Sequence, residues 1–122
     1  MAGGFDDLRV YHLSEDIADT TWDLVLGWNN LAKDTVGKQI IRSADSIGAN
    51  IAEGYGRGTY NDNKRFVRIS RGSLYESRHW LHRAFRRKLL TQDQIDHLKP
   101  LIDNLGSQLN AYLKSIGPQS SQ

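Results

Sequence analysis

Residues 54–90 read GYGRGTYNDNKRFVRISRGSLYESRHWLHRAFRRKLL, and the rest of the chain is organised around them. Ten Lys or Arg lie between Arg57 and Lys88, and only Asp62 and Glu76 oppose them, so this stretch carries a net +8. Residues 1–53 carry −5 and residues 89–122 carry −1, so the modest overall +2 hides a strongly polarised chain. Such asymmetry points to an anionic partner. At about 100° per residue, Lys64, Arg68, Arg71, Arg78 and Arg86 fall within roughly 40° of one line along a helix. Arg65 and Arg83 lie about 100° from that line and Arg87 about 140°. Phe66, Ile69, Trp80, Leu81 and Ala84 gather on the far side, with Ser70, Ser73, Leu74 and Ser77 among them. This segregation predicts an amphipathic helix from about Tyr60 to Leu89, roughly 45 Å long, against an apolar core. Like charges at i, i+3 and i+4 repel, so a chain needing only solubility would mix the signs. The basic line is therefore either an anion-binding surface or a face that is solvated or paired with acids of the first helix.

Working outward, 122 residues make one domain. With no Cys in the sequence, disulfides, thiolate metal sites and thiol catalysis are excluded. The N-terminal MAGGFDDLRV has neither the basic nor the apolar region of a signal peptide, and no run approaches a membrane span, so a cytoplasmic protein is expected. His79 and His82 are spaced i, i+3 but stand among Arg residues, which favours a solvated pair; no metal or cofactor is expected.

Upstream, a first helix is expected over about 7–28, with Val10, Leu13, Ile17, Ala18, Thr21, Leu24, Val25 and Trp28 as its inner stripe and an otherwise acidic surface. Gly27, Asn29 and Asn30 mark a break. A second helix over about 33–53 has Val36, Ile40, Ala44, Ile47 and Ile51 inside. Its other side (Ser43, Ser46, Ala49, Asn50) is lean in charge, which hints at a subunit interface. Asn50, Glu53, Gly54, Gly56 and Arg57 are expected to build the turn that follows, with a left-handed glycine cap and a charge-assisted bond from Arg57 to Glu53. Thr59-x-x-Asp62 and Thr91-x-x-Gln94 resemble capping boxes that open the third and fourth helices, the latter over about 92–116. Pro100 should kink or restart that last helix. Gly117-Pro118 stops it, and residues 118–122 read as a disordered tail. Four amphipathic helices with short turns give an all-α antiparallel up-down bundle.

No catalytic set emerges. Asp45, Glu53 and Glu76 are scattered, the serines have no neighbouring His base, and Glu76-x-x-His79 is a lone Glu-x-x-His pair where a di-metal bundle uses two, so no enzyme is expected. The run from Gly37 to Arg57, GKQIIRSADSIGANIAEGYGR, resembles the signature of the 23S rRNA intervening-sequence (S23) proteins. Phe66 to Glu76 with Leu81 resembles the family's second signature, and Phe5-x-x-Leu8 with Val10-Tyr11 its start. The likeness spans about residues 5–116 and extends to accessory variability proteins of diversity-generating retroelements. It implies a four-helix bundle in a barrel-like homopentamer, no established enzymatic activity, and binding of RNA or a nucleoprotein through basic outer surfaces. The expected contacts are Lys64, Arg68, Arg71, Arg78 and Arg86, flanked by Arg65, Arg83 and Arg87. The alternative is a protein-interaction scaffold whose basic face meets an acidic protein surface.

Overall fold

The computed structural model describes residues 3–118. A 3-10 turn (Phe5–Asp7) precedes α1 (Arg9–Leu26). A helical turn (Asn30–Ala32) and a π-helical turn (Lys33–Gly37) run without a break into α2 (Lys38–Tyr55), followed by α3 (Tyr60–Arg86) and α4 (Gln92–Ser115). The described residues contain no strand. Each connection is short, so successive helices are antiparallel neighbours. α1 packs on α2 and α4, α3 packs on the same two, and the diagonal pairs make no close contact. The result is a four-helix bundle in which each helix has two neighbours.

Its core is aliphatic. Ile17, Ile47, Ile51, Leu105 and Leu109 are completely buried and belong to one continuous apolar cluster. Full burial of each such side chain contributes about 1.5–3 kcal/mol. The α2–α3 seam is the most extensive contact in the bundle, and small residues make it so. The buried Ser77 hydroxyl lies 2.9 Å from that of Ser43, and Ser70 Oγ donates to the Ile47 carbonyl at 2.8 Å. A Cβ built on Gly54 would come within 2.8 Å of Phe66 Cβ and of Asn63 Oδ1. The lean side of the second helix is therefore partly spent inside the subunit: Ser43 is buried against α3, while Ala49 remains exposed.

Several local expectations are corrected. α1 begins at Arg9 because Asp6 and Asp7 are used in the 3-10 turn. Asn29 does not simply interrupt helix: its side chain accepts from Ala32 N at 2.9 Å, so it is the N-cap of the following turn. Gly54 is a buried helical residue, Gly56 is right-handed (φ −83°), and the left-handed glycine is Gly58 (φ +90°). Helix α4 continues through Pro100, which is exposed on its outer face, where water can take up the carbonyl that the missing N–H leaves free. Ile69 is 42% exposed and Val67 is buried in its place. Thr91 and Gln94 form a full capping box, whereas at α3 only the Thr59 half forms. The expected tail at 118–122 lies almost wholly outside the described residues.

Helix α3 ends at Arg86, short of Leu89, in a left-handed cap. Leu89 N donates to Ala84 O at 2.9 Å and Lys88 has φ +63°. This is the position that glycine favours, because a Cβ there meets the carbonyl. Lys88→Gly is expected to raise stability by about 1 kcal/mol, measured by urea unfolding. A lower midpoint would contradict the cap assignment.

Candidate nucleic-acid interface

Helix α3 inserts Val67, Ser70, Leu74, Ser77, Leu81 and Ala84 into the bundle. The centre of this buried strip lies about 115° from the basic line, so the line flanks the core on the α4 side and does not oppose it. Lys64, Arg71 and Arg83 are consequently half-buried, while Arg65, Arg68, Arg78, Arg86 and Arg87 are exposed. Arg71 Nη1 donates to Asn110 Oδ1 of α4 at 3.1 Å, which fixes its guanidinium at the α3–α4 seam. Arg78 borders the same seam beside Asp103.

Two guanidiniums of the basic segment have structural partners. Arg57 Nη1 lies 3.3 Å from Glu53 Oε2, and Arg65 Nη2 lies 3.8 Å from Asp62 Oδ1. Both also sit over the Phe66 ring, at 5.1 Å and 4.5 Å from its centroid. These exposed i, i+4 and i, i+3 pairs contribute no more than about 0.5 kcal/mol each. Asn50 Nδ2 donates to Ser46 O at 2.8 Å and so caps nothing in the turn. In contrast, no ion pair within 4.0 Å involves Lys64, Arg68, Arg71, Arg78 or Arg86 among the described residues. From Lys64 to Arg86 that ridge extends about 33 Å along the axis.

Residues passed over in the sequence complete the ridge. Tyr75 and His82 project within roughly 20° of the basic line, and Phe85 about 60° from it toward α4. Tyr75 is 60% exposed, and the Arg78 guanidinium stands 5.6 Å from its ring centroid. The signal was present in the spacing Arg71, Tyr75, Arg78, His82, which alternates steps of four and three.

The opposite face differs in charge. Glu15 and Asp19 of α1 and Asp45 of α2 border a groove of about 320 Å³. Partial desolvation in this groove, reinforced by the nearby Asp19, raises the Asp45 carboxyl from its ordinary value. At the other end, Trp22 and Leu26 are about half exposed beside Lys38 and Arg42. His79 stacks edge-on against Trp80 at 4.8 Å and does not join a metal-ligating group among the described residues. No described helix is long and apolar enough to cross a membrane.

The sequence model of the 23S rRNA-intervening sequence protein family matches residues 6–111. Among solved structures, the chain is similar to a protein of unknown function from the S23 ribosomal protein family of Bacteroides thetaiotaomicron VPI-5482. The TM-score is 0.77 at 24% identity, over 87% of this chain and 99% of that one. This likeness establishes a shared fold. No curated protein matches the chain significantly.

Proposed function

The chain belongs to the 23S rRNA-intervening sequence protein family, and from that premise we propose that it is a non-enzymatic, cytoplasmic module that binds RNA, alone or within a nucleoprotein, through the α3 ridge. The observation that carries this reading is the run Lys64, Arg68, Arg71, Arg78 and Arg86, which has no carboxylate partner among the described residues. A line of uncompensated cations stores repulsion that a polyanion relieves, with release of its counterions. Contacts of this kind go to phosphates and are largely blind to sequence. In the homopentamer that the family resemblance implies, the ridge is repeated five times, and binding gains from avidity without new contacts.

The test is titration of RNA against the protein over a range of salt. Five phosphate contacts give a slope of about −3.5 in log K against log salt for single strands, or roughly a hundredfold loss from 50 to 200 mM. A flat salt response, or no binding at the lowest salt, overturns the reading.

The acidic α1–α2 groove favours one alternative, a scaffold in which the ridge of one copy docks on Glu15, Asp19 and Asp45 of the next. In that case charge reversal on the ridge lowers the scattering mass of the particle.

A further inference from the structure

The ridge is more than a charged line. On its α4 side the α3–α4 seam carries two adjoining stretches of groove, of about 210 Å³ and 230 Å³, which share Arg78, Ile102 and Asp103 as lining. Tyr75 borders the first stretch and Phe85 the second. Neither ring is needed to close the core: Tyr75 is 60% exposed and Phe85 36%. Each stretch is smaller than the roughly 300–1,000 Å³ of ordinary small-molecule sites, which suits one planar ring better than a whole cofactor.

Resting on the RNA reading above, we infer that the ligand of this site is a single strand, with its phosphates on the Arg ridge and unstacked bases laid on Tyr75 and Phe85. Duplex RNA hides its base faces and offers only phosphates, hydroxyls and base edges, so exposed aromatic rings are wasted on it. A single strand can use both elements, because every base has a face to stack and a phosphate to neutralise. Charge is distributed to match. Arg68 and Arg86 lie on the outer side of the ridge, where a backbone would run. Asp103 stands within the groove, where it repels phosphate but can accept from base N–H groups. Arg78 flanks one side of Tyr75 at 5.6 Å and holds the ring in place between groove and ridge. The two rings are ten residues apart, about 15 Å along the helix, so one strand can reach both with unstacked bases between them.

The experiment compares a short unstructured RNA strand with an RNA duplex of the same length by fluorescence anisotropy, for the unaltered protein and for Tyr75→Leu and Phe85→Leu. A 2-aminopurine placed within the strand reports stacking directly. The expected result is tighter binding of the single strand, and about tenfold loss of that affinity for each variant. Duplex affinity and the salt slope should stay unchanged, and quenching of 2-aminopurine should weaken in both variants. Thermal unfolding of Tyr75→Leu, at so exposed a position, guards against loss of fold. Equal affinity for strand and duplex, or equal loss of both in the variants, overturns the single-strand inference while leaving phosphate binding intact. Absence of binding to either form overturns both the inference and the reading beneath it.

Discussion

Gly54→Val is expected to destabilise the bundle by about 3 kcal/mol and lower its melting temperature by about 10 °C. The reason is the α2–α3 seam. A Cβ at this position meets Phe66 Cβ and Asn63 Oδ1 at 2.8 Å and the Asn63 carbonyl at 3.1 Å. The Asn63 side chain can turn away, but Phe66 Cβ moves only with the α3 backbone, and α3 is held by the serine bonds to α2 further along. Alanine should do less harm, since its better helix propensity offsets about 1 kcal/mol of the overlap. Gly72 supplies the control. It is also helical, but its missing Cβ would meet nothing within 4 Å, so Gly72→Ala should stabilise by about 1 kcal/mol. Calorimetry that finds Gly54→Val as stable as the parent removes close helix approach as the role of this residue.

The second large effect concerns binding. Simultaneous Arg68→Glu, Arg78→Glu and Arg86→Glu should weaken RNA affinity at low salt by at least about a hundredfold and flatten the salt slope by about 2. These side chains are exposed and have no ion-pair partner within 4.0 Å among the described residues, so relief of repulsion along α3 offsets the new carboxylate that Arg78→Glu sets beside Asp103, and the melting temperature should change little. Filter binding, melting and light scattering together separate the cases. Affinity lost with mass and melting unchanged supports the interface. Unchanged affinity sinks it, and a fall in mass transfers the ridge to a contact between copies.

The bundle itself was legible because amphipathic periodicity is set by the core: Ile17, Val36, Ile40, Ile47, Ile51, Leu105 and Leu109 are apolar in sequence and buried in the structure. Fine placement failed where something other than hydrophobicity decides depth. A basic line pointing straight out of the bundle would place Ile69 inward. The true inward direction of α3 is set by Ser70 and Ser77, which are buried by hydrogen bonding and not by apolarity. Rotating the helix to that frame exposes Ile69, buries Val67 and brings Arg71 and Arg78 to the α4 seam. Gly54 was read as punctuation because glycine near a helix end usually is, and sequence alone does not reveal the neighbour that forbids a side chain. Arg65 looks like a free cation in the sequence, but the Phe66 ring and Asp62 occupy it, whereas Arg57 makes the expected pair with Glu53 and also stands over Phe66. Tyr75 and His82 share the helical angle of the basic line, but neither carries the fixed charge by which the sequence marks it.

The π-helical turn at Lys33–Gly37 has a consequence for how the chain tolerates changes of length. A wide turn holds one residue more than the α-helical path needs, while the segments before and after it keep their own faces toward the core. Loss of a single residue within 33–37 therefore converts the loop of backbone to ordinary helix and leaves Ile40, Ile47 and Ile51 in phase. The same loss anywhere in α2 beyond Lys38 would swing every later side chain by about 100°. Insertions and deletions among relatives should accordingly collect in this one turn, next to Val25, whose methyl already leaves Gly37 no room for a side chain.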